Sequence, residues 1–119
     1  MVRRAVKIGG RRHSKYNARS TVVDGIRFAS KREATAWASL KMMERVGNIR
    51  ALDRQVKIPL HADNWALVGH YIADFTWEEP DGAGKWVKVI ADAKGFRNAL
   101  YLWKKSHVLA EYGIEIREL

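Results

Sequence analysis

The sequence predicts a mixed α/β domain over residues 20–119, with the element order hairpin–α–β–β–β–α–β and a basic arm at residues 1–19 that we expect to be flexible. Two observations carry this prediction. One is a helical segment that begins with a capping motif, and the other is a pair of alternating apolar segments joined by a turn. The 119 residues, 47% of them hydrophobic, fit one compact core.

The first elements follow from turn and capping residues. In "TVVDGIRFAS" the pair Asp24-Gly25 tolerates positive φ and predicts a tight hairpin. Ser30 and Glu33 form a Ser-x-x-Glu capping box, and apolar residues recur at helical spacing after it. Gly47 is a suitable C-cap, so the sequence predicts the first helix between Ser30 and Gly47.

The remaining elements read as three strands, a helix and a strand. "QVKIPL" (55–60) predicts a short strand whose proline keeps its far end out of a sheet centre. Residues 69–80 and 86–93 alternate on either side of the turn "DGAGK" and predict an antiparallel hairpin. A second helix is expected over 98–112, ending at Gly113, and "IEIREL" closes the chain as a strand.

Composition excludes several classes of protein. The absence of cysteine excludes disulfides, thiolate zinc sites and cysteine nucleophiles. No run of 18 or more apolar residues could span a membrane, and the N-terminus lacks the apolar stretch of a secretory signal. We therefore expect a cytoplasmic protein without a membrane partner.

The charge indicates a polyanionic partner. The net charge is +9, and residues 1–19 supply seven of these charges because they contain no acid. A basic arm on a nearly balanced domain is a common arrangement for binding nucleic acid, although a tail that merely aids solubility has the same composition. The candidate phosphate contacts in the arm and on the second helix are Arg3, Arg4, Arg11, Arg12, Lys15, Arg19, Lys104 and Lys105.

A candidate catalytic cluster lies at the ends of the central hairpin strands. Period 2 places Asp92 and Lys94 on one face, and Asp74 lies on the less apolar face of the neighbouring strand. If the register sets the aspartates side by side, a hard divalent cation would relieve their repulsion, and the lysine could orient a water. Glu33 could add a further oxygen if its helix packs over the hairpin. The pattern predicts metal-assisted phosphodiester hydrolysis.

Each of these residues also has a purely structural interpretation. Glu33 already serves the capping box, which stabilises a helix by roughly 0.5–2 kcal/mol. Asp74 could face water on a half-exposed sheet, and Asp92 with Lys94 could form a surface ion pair worth about 0–1 kcal/mol. Among the five tryptophans, which mostly fit core and rim packing, Trp65 in the polar loop "HADNWAL" is the exception as a base-stacking candidate.

Asp74, the triplet Asp92-Ala93-Lys94 and the helical Glu33 resemble the PD-(D/E)xK nuclease superfamily, which has a restriction-endonuclease-like core. More narrowly, "KYNARSTVVDGIRFASKREA", "YIADF", "DAKGF" and "YGIEIREL" resemble a small phage-encoded family largely of unknown function. That family is similar in plan to Holliday-junction resolvases of the endonuclease I type. The resemblance covers about residues 14–119. Ala73 stands where the superfamily name has proline.

The resemblance implies a role for each site residue. Asp74 would bridge metal, Asp92 would be the second ligand, and the carbonyl of Ala93 would ligate metal as well. Lys94 would lie near the nucleophilic water, and Glu33 would complete one metal site. Gln55 matches a polar position sometimes found near such sites.

The resemblance also implies the reaction and its partners. The expected function is a Mg²⁺-dependent endodeoxyribonuclease, with Mn²⁺ as a possible substitute, acting as a homodimer on branched DNA. Phage origin would place it in the cytoplasm of a bacterial host. The alternatives are a nickase or end-processing nuclease with the same site, or a nucleic-acid-binding accessory protein that does not cleave.

Overall fold

The computed structural model describes residues 20–93 and 97–119, and the chain divides into two compact units, Met1–Thr35 and Ala36–Leu119. It contains a two-stranded sheet, a four-stranded mixed sheet and two helices. The predicted mixed α/β fold class is therefore confirmed. Within the described ranges, neither helix is long and apolar enough to cross a membrane.

The first unit holds the predicted N-terminal hairpin and the start of the first helix. Strands β1 (Thr21–Val23) and β2 (Ile26–Phe28) pair antiparallel, and the turn between them has φ of 52° at Asp24 and 77° at Gly25. Two successive positive φ values are what a type I′ turn requires. Helix α1 (Lys31–Arg45) begins after Ser30, whose Oγ accepts a hydrogen bond from the Glu33 amide at 3.1 Å. The predicted N-cap is confirmed.

Within the second unit, α1 ends as predicted at Gly47. This glycine has φ of 86°, and the next amide, that of Asn48, donates to the carbonyl of Met43 at 2.9 Å. A left-handed residue followed by this long-range bond is the Schellman ending of a helix. Trp37 of α1 stacks on Phe75, with 5.9 Å between ring centroids.

The main sheet contains four strands in the order β3 (Arg50–His61), β4 (Leu67–Pro80), β5 (Trp86–Asp92) and β6 (Arg117–Glu118). Strand β4 pairs antiparallel with both β3 and β5, whereas β5 and β6 are parallel. Strand β3 begins at residue 50 rather than at the predicted 55, because a register shift between Arg50 and Asp53 lets pairing with β4 continue. Pro59 lies on this edge strand, where a missing amide hydrogen bond is tolerated.

Helix α2 (Ala99–Tyr112) packs on the sheet and connects β5 to β6. Asn98 is its N-cap, with Oδ1 accepting from the Tyr101 amide at 2.8 Å, and Gly113 ends it with φ of 71°. The closing strand is shorter than expected, because only two residues of "IEIREL" pair with β5. The core cluster joins the sheet to α2 through Ile58, Leu60, Tyr71, Ala73, Ile90, Tyr101, Val108 and Ile116.

Candidate active site

Asp74 and Asp92 lie side by side where β4 and β5 separate. The last ladder pair of these strands is Phe75 with Ala91, so the next step places the two aspartates opposite each other. The Asp74 amide donates to Oδ1 of Asp92 at 3.4 Å, and the Ala93 amide donates to Oδ2 of Asp74 at 2.9 Å. Each carboxylate thus contacts the backbone of the opposite strand. The structure brings together these two predicted site residues with Ala93.

The two carboxylates occupy different environments. Asp92 is fully buried (0% exposed), whereas Asp74 is half-buried. Strand β5 is covered on both faces at this end, since Ile90 and Ala91 are buried as well. Carboxylates at neighbouring positions repel when both are ionised, and exclusion of water strengthens that repulsion. The site therefore favours positive charge next to Asp74 and Asp92.

Gln55 lies across from Asp74 on the other neighbouring strand. The ladder pairs Arg54 with Phe75 and Val56 with Ala73 leave Gln55 opposite Asp74. Its φ is 54°, in the left-handed region, which non-glycine residues in strands rarely adopt. Backbone strain of this kind is often found at functional sites. Gln55 is exposed.

Glu118, which no sequence motif points to, extends this line across the sheet. Glu118 pairs with Asp92 in the parallel ladder, and the Leu119 amide donates to the Asp92 carbonyl at 2.8 Å. The sheet thus carries Gln55, Asp74, Asp92 and Glu118 at successive positions on its four strands. In "IEIREL", Glu118 lies two residues after Ile116 and would share its face of a strand. Its parallel pairing with β5, however, depends on where the chain re-enters the sheet after α2. No local motif shows that pairing.

The carboxylate of Glu118 is already engaged by three hydrogen-bond donors. Its carboxylate accepts hydrogen bonds from Tyr101 Oη at 3.0 Å, Lys105 Nζ at 3.2 Å and Arg97 Nη1 at 3.0 Å. Burial raises the pKa of Tyr101, and its hydrogen bond to Glu118 and the nearby charges of Glu118 and Asp92 add to that effect. The Tyr101 hydroxyl therefore stays protonated as a donor at neutral pH, between α2 and the carboxylates of the sheet.

The Glu118 contacts predict a dependence of stability on pH. The hydrogen bond from Lys105, followed by those from Tyr101 and Arg97, lowers the pKa of Glu118 below its ordinary 4.5. A carboxyl group whose pKa is lower in the folded state than in the unfolded state stabilises the fold at pH values above its unfolded-state pKa. This contribution is lost as the pH falls through its folded-state pKa. We expect Glu118→Gln to lower the urea midpoint at about pH 7 and the difference from wild type to shrink at about pH 3.

Glu115→Gln provides the matched control for that measurement. Glu115 is exposed and makes no ion pair within residues 20–93 and 97–119. We expect its replacement to leave the pH dependence close to that of wild type. A Glu118→Gln difference of equal size at both pH values would contradict the linkage to Glu118.

The other predicted residues are placed as follows. Glu33 is buried in the first turn of α1, in the first compact unit, and its role as a metal ligand stays a prediction. Lys94 and the six residues of the arm lie outside the described residues. Lys104 is half-buried and lines a cavity of about 500 Å³ with Tyr101. Lys105 pairs with Glu118, so a phosphate would compete with that carboxylate for it.

The donors around Asp92 fit a hard divalent cation of the magnesium type. Where the chain is described, no group of three or more histidine or acidic side chains is arranged to hold a metal. Mg²⁺ does not need such a group, because it keeps several waters and binds through one or two carboxylates plus substrate phosphates. Asp74, Asp92 and the carbonyl of Ala93 are oxygen donors of that kind.

Comparison with known proteins identifies a family but no characterised relative. The family described as "Protein of unknown function (DUF1064)" matches residues 13–113, which include Glu33, Asp74 and the Asp92-Ala93-Lys94 triplet. No curated protein matches the chain, and no solved structure does. The function must therefore be argued from the site.

Proposed function

The chain belongs to the DUF1064 family of unknown function, and we propose that it is a metal-dependent endodeoxyribonuclease that hydrolyses phosphodiester bonds in branched DNA. The observation that carries this proposal is the placement of Asp74 and Asp92 side by side at the open end of a hairpin. Two carboxylates held by the opposite backbones, one of them fully buried, form a preorganised pair of oxygen ligands.

Two carboxylates placed together at this position cost free energy when no cation is bound between them. A buried carboxylate loses hydration, and a second carboxylate beside it adds repulsion. An ordinary sheet end would carry apolar or hydroxyl side chains at these two positions without either cost. The interpretation of Asp74 as a solvent-facing residue does not account for the hydrogen bond that its carboxylate accepts from the Ala93 amide. Binding of a cation explains both aspartates.

Each site residue then has a defined task. Asp74, Asp92 and the Ala93 carbonyl would hold a divalent cation, which when bound supplies a nucleophilic water and neutralises charge on the scissile phosphate. Lys94, two residues after Asp92, would orient that water and stabilise the charge that develops on the phosphate oxygens. Glu33 would complete the ligand set. Gln55, opposite Asp74, would position substrate or water by its amide.

The DNA substrate is supported by charge, and its branched form by resemblance. The net charge of +9 favours a polyanion, and phosphate contacts release counterions. The pattern of Asp74, Asp92-Ala93-Lys94 and Glu33 resembles that of the PD-(D/E)xK nucleases, and the extended matches resemble phage junction resolvases. A junction must be cut symmetrically on two strands, so the proposal includes a homodimer with two-fold related sites.

The test is cleavage of a labelled four-way junction beside a linear duplex of matched sequence. With Mg²⁺ or Mn²⁺ we expect the junction to be cut and the duplex spared, and with a chelator we expect binding without cutting. Equal cutting of both substrates would retain the nuclease and remove the selectivity for branches. Binding of DNA without cutting in any divalent metal would contradict the proposal and favour an accessory protein.

A further inference from the structure

Trp65 is displayed to solvent by a strained turn at the end of the main sheet. It lies in the connection between β3 and β4, it is 74% exposed, and its φ is 67°. A bulky residue in the left-handed region is strained, and glycine at the same position would avoid that strain. Exposure of an indole adds a second cost, since its apolar surface remains in water. Neither feature helps the turn to fold.

The turn holds this conformation by its own hydrogen bonds. The Trp65 amide donates to the Ala62 carbonyl at 2.8 Å, and the Ala62 amide donates to the Ala66 carbonyl at 2.9 Å. Oδ1 of Asn64 accepts from the Ala66 amide at 3.0 Å. The backbone around Trp65 is therefore defined on both sides. An indole presented in this way loses little conformational freedom when it binds a flat ligand.

Below the turn, a carboxylate fixes two histidines that support aromatic contacts. Glu111 accepts from the His61 amide and contacts His61 Nδ1, both at 2.7 Å, and it lies 3.3 Å from His107 Nε2. The His61 ring packs edge-on against Trp65 at 5.8 Å, and the His107 ring packs against Trp103 at 5.3 Å. Trp103 is itself 52% exposed. Two exposed indoles thus rest on one hydrogen-bonded cluster.

A cavity opens beside this cluster, and its lining combines aromatic and polar side chains. Its volume is about 290 Å³, and the lining residues that bear on the ligand are His61, Asp63, Trp65, His107 and Glu111. Both Glu111 oxygens are engaged by the histidines. Among residues 20–93 and 97–119, by contrast, nothing forms a hydrogen bond or ion pair with the Asp63 carboxylate, which is exposed and can accept from a ligand.

We propose that Trp65 and its cavity bind an unpaired nucleobase of the DNA substrate. The exposed face of the indole would stack on the base, and Asp63 would accept a hydrogen bond from an exocyclic amino group. Base–aromatic stacking does not depend on sequence, because every base has a π-face. An apolar peptide side chain would leave the Asp63 acceptor unused, whereas a base with an exocyclic amino group uses both Trp65 and Asp63.

The position of the cavity suits a single strand that leaves the cleavage site. From Gln55, beside Asp74, strand β3 runs six residues to His61, a span of roughly 20 Å at about 3.3 Å per residue. Helix α2 has about the same length. It begins after Asn98 and ends at Tyr112, whose Oη donates to the Pro59 carbonyl of β3. Lys104 follows Trp103 on this helix and would contact the phosphates of the strand between the cleavage site and the cavity. The inference rests on the proposed function for its DNA substrate.

The experiment measures binding of a labelled single strand of about 16 nucleotides in chelator, by fluorescence anisotropy at one fixed salt concentration. We expect Trp65→Ala to weaken binding about 5- to 150-fold, which corresponds to the roughly 1–3 kcal/mol of stacking lost per base, and Trp65→Phe to weaken it less. Binding to a duplex, and to a strand of the same length with abasic sugars, is expected to differ little between Trp65→Ala and wild type.

The control is Leu67→Ala, which removes an apolar side chain that is 56% exposed at the start of β4 and leaves Trp65 in place. We expect it to bind every DNA like wild type. Unchanged binding by Trp65→Ala would overturn the inference, as would an equal loss on the abasic strand or an equal loss in Leu67→Ala. The binding measurement contains no metal, so its outcome does not depend on whether the protein cleaves DNA. If the protein cleaves the junction but Trp65→Ala binds the single strand like wild type, only the base site is overturned.

Discussion

Replacement of Asp92 by asparagine is expected to reduce metal-dependent cleavage by at least ~100-fold while DNA binding is retained. Asparagine keeps the shape of the side chain and an oxygen that can accept from the Asp74 amide, but it removes the negative charge from the fully buried position. It also removes the repulsion between Asp92 and Asp74. We therefore expect the thermal midpoint without metal to be no lower than that of wild type.

The measurement is single-turnover cleavage of the four-way junction, beside anisotropy binding and a thermal melt. Glu115→Gln removes the same charge from an exposed position and is expected to cleave like wild type. Asp74→Asn is expected to lose cleavage to a similar degree, because both carboxylates would hold the cation. Cleavage by Asp92→Asn within about threefold of wild type, with a normal melt, would remove Asp92 from the catalytic site.

Replacement of Phe75 by alanine is expected to destabilise the protein by about 3–5 kcal/mol. Phe75 is fully buried, stacks on Trp37 of α1, and directly follows Asp74 in β4. Its loss would leave a cavity where the helix meets the strand that carries the candidate site. For a domain of this size the thermal midpoint would fall by roughly 10–20 °C.

A thermal melt or urea titration checks this prediction, with Met42→Ala as the control. Met42 lies on α1, the helix that carries Trp37, but it is 59% exposed, so its truncation is expected to cost less than about 0.5 kcal/mol. A loss below about 1 kcal/mol in Phe75→Ala would mean that the helix repacks around the cavity.

The strand faces of Asp74 and Asp92 could be predicted because that information is local. Alternation in two adjacent segments sets the faces, whereas the register that places the two aspartates side by side is seen only in the structure. The ends of both helices were predictable for a similar reason. Ser30, Gly47 and Gly113 act within one turn of their own position.

Three features depend on contacts that sequence spacing does not encode. Glu118 reaches Asp92 only because β6 pairs parallel to β5 after a complete helix. The left-handed φ of Gln55 arises in a strand whose local residues predict ordinary extended backbone. The support of Trp65 and Trp103 by Glu111 joins residues about fifty positions apart.

By itself, the sequence determined the helices, the turns and the strand faces on which the two aspartates lie, since these depend on periodicity and on interactions between residues close in the chain. Only the tertiary structure decided that Asp92 is fully buried, that Glu118 lies beside it and is held by α2, and that Trp65 rests on the cluster of His61 and Glu111. Burial and parallel pairing depend on which distant elements pack together, and the free energy of that packing arises from contacts throughout the core.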